Sequence, residues 1–302
     1  MSEVKKIATR MSYGNALVEL GKEHDDLLVF EADLGGATKT TIFRDVFPDR
    51  HIECGIAEAN MVGMAAGIST TGIVPFVSSF AMFTAGRAFD QLRNSVGYPH
   101  LNVKVGATHQ CNEDFALMRT IPGMVVICPS DDVEARAAVK AAYEYKGPVY
   151  MRFGRVAVPV INDNPDYKFE IGKGVTLKDG NDLTIIANGI LVSEALQAAE
   201  MLAKDGINAR VINIHTIKPL DKDLVIKAAK ETGKIVTVEE HSVIGGLGSA
   251  VADVVSEENL APVHKIGVQD VFGESALAEE LLEKHGLDAK GIYNNIKDYL
   301  NK

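Results

Sequence analysis

Two hydrophobic periods alternate along this chain. Positions 11–24 (MSYGNALVELGKEH) carry apolar residues at helical spacing, and LLVFEAD (27–33) follows as a short apolar run closed by an acid, which predicts a buried strand. After HIECG (51–55) a helical AEANMVGMAAGIST (57–70) leads into the strand IVPFVSS (73–79). FTAGRAFDQLRNSV (83–96) is helical in pattern, and LNVKVG (101–106) and MVVICPS (124–130) are strands. DDVEARAAVKAAYEY (131–145) is an Ala-rich helix with Ser130 or Asp131 placed to cap it, and VYMRFG (149–154) closes the unit. Strand–helix alternation of this kind predicts a parallel sheet covered by helices on both faces, an α/β fold.

Positions 158–174 show neither period and are rich in Pro, Asn and Asp, as a linker would be. Beyond them the rhythm restarts: DLTIIANG (182–189), NARVINI (208–214), GKIVTVEE (233–240) and PVHKIGV (262–268) are strands with helices between and after them. The expectation is two α/β domains, 1–160 and 176–302, joined by a linker over 161–175.

Composition narrows the function classes. A length of 302 residues suffices for two cores, and 31 basic against 41 acidic side chains gives a net charge of −10. An acidic surface repels nucleic acid and anionic membrane, so neither is an expected partner. The cysteines Cys54, Cys111 and Cys128 lack CxxC spacing, the N-terminal ten residues lack a signal-peptide core, and the apolar stretch 54–86 is interrupted by Gly, Ser, Thr, Asn and Pro75. The expectation is a soluble cytoplasmic protein with reduced thiols.

Ligands of open α/β sheets bind beyond the C-terminal ends of strands. From position 54 to 86 the only charged side chain is Glu58, at the start of a helix of small and apolar residues. A carboxyl group in such surroundings holds its proton to higher pH and can share it with a ligand, whereas a first-turn glutamate favoured by the helix dipole simply points at water. Phe80 and Phe83 follow Ser78 and Ser79 at a strand exit, placed either for core packing or to stack on a planar ring. The loop GATHQCNED (106–114) offers His109 as an acid, base or hydrogen-bonding group, or is an ordinary capping loop. Arg10, Arg152 and Arg155 sit at element ends, where forked contacts to phosphate are as available as surface ion pairs. GGLGS (245–249) opens a helix and reads as an anion cradle or as tight packing.

The blocks KIATRMSYGNAL, EADLGGATKT, HIECGIAEANMVGMAAG, PFVSSFAMF, GATHQCNEDFALMRTIPGM and GPVYMRFGR, in this order and spacing, resemble the pyrimidine-binding domain of transketolase, and the resemblance extends through the C-terminal domain. Its organisation is similar to the split transketolases, whose halves are separate subunits. The resemblance implies a doubly wound pyrimidine-binding domain for thiamine diphosphate, followed by a mostly parallel α/β domain. It further implies that Glu58 bonds the aminopyrimidine N1′, that Phe83 stacks on that ring with Phe80 beside it, and that Asp33 lies near the thiazolium. Arg10 and Arg155 match arginines that grip the sugar phosphate, and His109 a histidine that contacts the substrate's oxygens. The reaction implied is transfer of a two-carbon ketol unit from a ketose phosphate to an aldose phosphate. Deoxyxylulose-phosphate synthase and the beta subunit of a 2-oxoacid dehydrogenase share the domain pair, and a non-catalytic regulatory subunit is a further alternative.

Three departures from the family pattern matter. A serine expected near Ala37 is replaced within GGATKT, leaving Thr38 or Lys39 to serve. About a dozen residues that normally precede T-H-Q, reading H-x-x-I-x-x-G-E-D-G, are absent. The diphosphate and metal motif, a GDG with an asparagine some thirty residues later, is also absent. The resemblance therefore implies that Mg²⁺ or Ca²⁺ and the diphosphate are held by an N-terminal partner subunit, with no metal ligand on this chain and two copies of each chain in the assembly.

Overall fold

The structure, a computed structural model, describes residues 5–301. Its contacts divide the chain into two compact units, one reaching Ile171 and the other starting at Gly172.

The first unit contains β1 (Lys6–Ala8), α1 (Thr9–Glu23), β2 (Leu27–Glu31), α2 (Gly35–Thr38), α3 (Thr41–Val46), β3 (His51–Glu53), α4 (Glu58–Ser69), β4 (Val74–Phe80), β5 (Lys104–Thr108), α5 (Asp114–Thr120), β6 (Val125–Ile127), α6 (Asp132–Glu144), β7 (Val149–Phe153) and β8 (Ala157–Pro159). Within the unit its main sheet runs β6-β7-β5-β4-β2-β3, every pair parallel, while β1 and β8 form a separate antiparallel ladder. From β2 the chain goes outward to β3 and returns on the other side as β4. That reversal opens a crevice beyond the ends of β2 and β4, where open sheets bind ligands. Strands buried at every residue, such as β7, are what a sheet covered on both faces produces. The core on one face joins Leu17, Val29, Phe76, Val139 and Met151.

Asp131 is the cap of α6, accepting from the Glu134 amide at 2.9 Å, and the Glu134 carboxylate returns to the Ser130 amide and hydroxyl at 2.7 Å each. The second Asp131 oxygen accepts from the amides of Ile161 and Asn162, and Phe169 and Ile171 pack on the core. The stretch 161–175, expected as a linker, is thus docked on the first unit as far as Ile171. The helical pattern over 83–96 is realised as two runs of wider π-helical turns, Phe83–Arg87 and Gln91–Gly97.

The second unit contains β9 (Val175–Lys178), β10 (Leu183–Ala187), α7 (Leu191–Lys204), β11 (Ala209–Asn213), β12 (Thr216–Lys218), α8 (Lys222–Thr232), β13 (Ile235–Ser242), α9 (Leu247–Glu257), β14 (Val263–Val268), α10 (Ala278–Lys284) and α11 (Ala289–Leu300). Its sheet, β14-β13-β10-β11-β9, is parallel except for β9. The predicted class, two α/β domains with a doubly wound first sheet, is the observed one. Among the described residues no helix is long and apolar enough to cross a membrane, and none of the three cysteines forms a disulfide.

Candidate active site

Glu58 is the first residue of α4 and its side chain is 1% exposed. Its carboxylate is not solitary: Arg87 Nη1 lies 2.8 Å from Oε2, and the Ser79 hydroxyl stands at a long 3.5 Å from Oε1. Arg87 ends the first π-helical run, four residues after Phe83, and its guanidinium also rests 4.6 Å from the centre of the Phe83 ring. The side chain of Arg87 is 50% exposed, so the buried acid is held by a partner that can leave for water. This corrects the expectation of a lone acid among oily neighbours. The window in which Glu58 is the only charge ends at Gly86, one residue short of the arginine that pairs with it.

Phe80 and Phe83 stack with centres 5.7 Å apart, and Phe80 meets the His109 ring at 4.1 Å. His109 is the first residue past β5; its amide still bonds the Phe153 carbonyl at 3.2 Å, and it turns out of the sheet with φ +71°. A non-glycine residue in that left-handed region is strained and is held by its surroundings. Its Nδ1 is 2.9 Å from the Thr108 hydroxyl. Burial, with the positive charges of Arg10 and Arg155, pushes the imidazole down to about 4, so it is neutral near pH 7.

Arg10 and Arg155 come together because the start of α1 is tied to the residue after β7. The Gly154 amide donates to Thr9 Oγ1 at 2.7 Å, and the Arg10 amide donates to the Gly154 carbonyl at 3.3 Å. Arg10 Nη1 donates to the Ala37 carbonyl at 2.9 Å, while its buried Nε has no partner, an unused donor of the kind an anion would satisfy. Arg155 is exposed. Arg152 behaves differently: it is 3% exposed, bonds the Cys111 carbonyl and Asp114, and lies on the Phe115 ring, so it braces the loop after β5.

Asp33 is exposed in the loop after β2 with φ +57°, its amide donating to Glu53 Oε1 at 2.9 Å. Of the two substitutes for the expected serine, Thr38 is fully buried with its hydroxyl turned to Leu34, Gly35 and Thr40, which leaves Lys39. The GGLGS helix start is already filled. Glu239 accepts from the Leu247 and Gly248 amides at 2.6 and 2.8 Å, so the cradle expected there holds the protein's own carboxylate.

Glu58, Phe80, Phe83, His109, Arg10 and Arg155 therefore form one continuous line along the strand ends, with Asp33 on the neighbouring loop. Arg87 is the member that sequence reasoning missed. Its one signal is the four-residue spacing to Phe83, which places a cation on that ring.

Comparison with known proteins identifies the two units. Residues 5–160 match the model of the transketolase pyrimidine binding domain, and residues 172–292 match that of the transketolase C-terminal domain. A putative transketolase C-terminal section of Methanocaldococcus jannaschii is 48% identical, the alignment covering 97% of this chain and 96% of the relative. A 6-deoxy-6-sulfo-D-fructose transketolase subunit of Clostridium sp. is 44% identical over 94% of this chain and 91% of its own. Rat transketolase is 40% identical over 98% of this chain, which spans half of that longer protein. A solved structure described as a split gene transketolase, inactive beta4 tetramer, superposes with a TM-score of 0.90 at 50% identity, covering 98% of this chain and 99% of its own. The chain belongs to the transketolase family, and what it carries are that family's pyrimidine-binding and C-terminal domains. The alignment to the Methanocaldococcus protein is 307 positions long yet uses 97% of a chain of 302, so the relative has more than a dozen residues without counterpart here.

Proposed function

We propose that this chain forms the pyrimidine-side wall of a thiamine diphosphate site and, with a partner chain bearing the diphosphate and metal motif, transfers a two-carbon ketol unit between sugar phosphates. The observation that carries this reading is Glu58: a carboxylate with 1% exposure, at a helix start, beside two stacked phenylalanines, and held by displaceable partners. The residues fit half of such a cofactor. Phe83, with Phe80 beside it, offers a flat apolar face, and Glu58 offers an acceptor at the edge of that face for a ring nitrogen. Arg87 now covers that face and must yield it. The cofactor, when bound, supplies a nucleophilic carbon that can hold the transferred ketol unit.

The chain's own residues orient and protonate. Glu58 shares a proton with the ring nitrogen it faces. Asp33 lies on the loop beside that position. Arg10, with its unused buried Nε–H, and the exposed Arg155 grip the sugar phosphate. His109, neutral and anchored through Nδ1 to Thr108, presents its other nitrogen to a substrate hydroxyl or carbonyl oxygen. The partner is an N-terminal transketolase subunit, and two copies of each chain make the simplest closed assembly. Mg²⁺ or Ca²⁺ belongs to the partner, since this sequence has no GDG followed by a suitably spaced asparagine.

A second reading, a subunit that assembles without turnover, is favoured by the residues absent before Thr108. The test mixes this chain with its N-terminal partner, thiamine diphosphate and Mg²⁺, and follows ketose-to-aldose transfer. Transfer that Glu58→Gln abolishes supports the proposal. Full activity in Glu58→Gln refutes the role of Glu58, and a stable complex without turnover supports the second reading.

A further inference from the structure

We propose that Glu31 and Glu53 are a pair of positioning residues which, by sharing one proton, fasten together the loops that carry Asp33 and Glu58. The pairing is built into the sheet. β2 and β3 run parallel with Glu31 opposite Glu53 at their C-terminal ends, on the edge from which the site is assembled. Their carboxylates converge on one turn, Glu53 taking the Asp33 amide at 2.9 Å and Glu31 the next amide, Leu34, at 2.6 Å, and each bears on the other's ionisation. Two carboxylates have no donor between them, so for the pair to bond one must hold the proton.

Burial decides which. Glu31 is 3% exposed, whereas Glu53 is exposed and accepts on Oε1 from the amides of Asp33 at 2.9 Å and Gly55 at 2.7 Å. Glu31 therefore carries the proton, with its Oε2 accepting from the Leu34 amide at 2.6 Å. Asp33 and Leu34 belong to the loop after β2; Gly55 belongs to the loop that ends in Glu58. A single O–H···O⁻ contact joins the two, and the packing leaves little room for alternatives: a Cβ on Gly35 would stand 2.9 Å from Glu31 Oε1.

The surroundings reinforce this. Facing the pair are Asp33 on its loop, His51 on β3 and Cys54 just beyond it, with Arg44 and Asp45 of α3 acting on His51. β4 presents only Ser78 opposite Glu31. Burial first, then the bond to Glu53, raises Glu31 to about 7. Burial opposes ionisation of Glu53 too, but its bonds to Glu31 and to the Gly55 and Asp33 amides hold it below its ordinary value. The Cys54 thiol, pushed up to about 11 by burial and then by the charges of Glu53 and Glu31, registers the same negative potential. The sign follows. A carboxyl raised in the folded state favours the closed loops at low pH and loses that contribution as pH rises through about 7.

The inference rests on the proposed function only in naming Asp33 and Glu58 as site residues; amide exchange reads the fastening whether or not a cofactor binds. The experiment measures protection factors of the Asp33 and Gly55 amides in the full chain from pH 5.5 to 8.5, normalised to intrinsic exchange. Wild-type protection is expected to fall about tenfold between pH 6 and 8, the change that linkage to one shifted proton allows. Glu31→Gln keeps an acceptor for Leu34 and supplies a permanent donor to Glu53, so its protection should stay flat and high. A wild-type profile without the fall, or a Glu31→Gln profile that still falls, overturns the proposal. Should Glu31→Gln fail to fold, Glu53→Gln decides: a flat profile supports the pair, and one that falls as in wild type overturns it.

Discussion

Two buried glutamates serve the heads of helices, one in each unit: Glu58 opens α4 itself, and Glu239 reaches the head of α9 from the strand before it. Glu239 of β13 is fully covered and closes on backbone: the Leu247 and Gly248 amides at the head of α9 take both of its oxygens, and a Cβ on Gly246 would lie 2.0 Å from one of them. Glu58 at the head of α4 has no backbone donor of that kind. It leans on a half-exposed arginine and a distant serine hydroxyl. Backbone partners cannot move without unfolding the helix start, whereas a side-chain partner with access to water exchanges readily. Burial of an acid therefore does not mark a site; burial with replaceable partners does.

Substitution should separate the two sharply. Glu58→Gln, tested with a partner chain, is expected to lower ketol transfer by about 10²–10⁴-fold, the span of an acid–base group, with little change in melting temperature. Glu239→Ala should do the reverse, costing about 3 kcal/mol in denaturant unfolding by leaving two buried amides unpaired, with cofactor affinity unchanged in the molecules that remain folded. Equal melting losses from both substitutions would erase the distinction.

The loop before Thr108 bears on the same contrast, because it would complete the open site and leave the closed one alone. β5 hands over directly to His109, with no family-type segment between the strand and the loop. Without them turnover with the partner is expected to be poor, and inserting a family-type H-x-x-I-x-x-G-E-D-G segment should raise it by roughly 10²-fold, the scale of lost positioning contacts. No gain from the insertion would show that the loop is dispensable. A smaller effect is expected at Arg87. Replacing it with Met removes the ion pair to Glu58 and the cation from the Phe83 face, and should cost about 1 kcal/mol of stability because half of that arginine is already solvated. Unchanged unfolding would make the pair incidental.

What could be read from the chain followed from local periodicity. LLVFEAD and VYMRFG announce themselves as strands, the Ala-rich 131–145 as a capped helix, and Glu58 as an acid out of place among small apolar residues. What could not be read depends on partners distant in sequence. Arg87 lies 29 residues from Glu58, and Glu31 meets Glu53 only through the register of two parallel strands. The widened turns at Phe83–Arg87 and Gln91–Gly97 are likewise hidden, because runs of five to seven residues do not distinguish a π-helical period from an α-helical one. Short strands such as β1, β8 and β12, three residues each, carry no pattern of their own. The role of GGLGS was undecidable from its glycines, since the carboxylate that fills it stands on β13, six positions before Gly245.

The finest contrast lies inside the open site, between its acid and its histidine. His109 is depressed to about 4 by burial first and by the charges of Arg10 and Arg155 after it. A histidine lowered in the folded state binds fewer protons than the unfolded chain between about pH 4 and its ordinary value near 6.5, so stability should decline as pH falls through that window. Near neutrality the ring changes nothing: an NMR titration of His109 should show no midpoint between pH 5.5 and 8. Inorganic phosphate, if it binds Arg10 and Arg155, removes part of the positive field and should move the midpoint upward by a few tenths of a unit. A midpoint near 6.5 in the free chain would mean that the imidazole is neither buried nor faced by the arginines, and the line from Glu58 to the phosphate grip would be broken at His109.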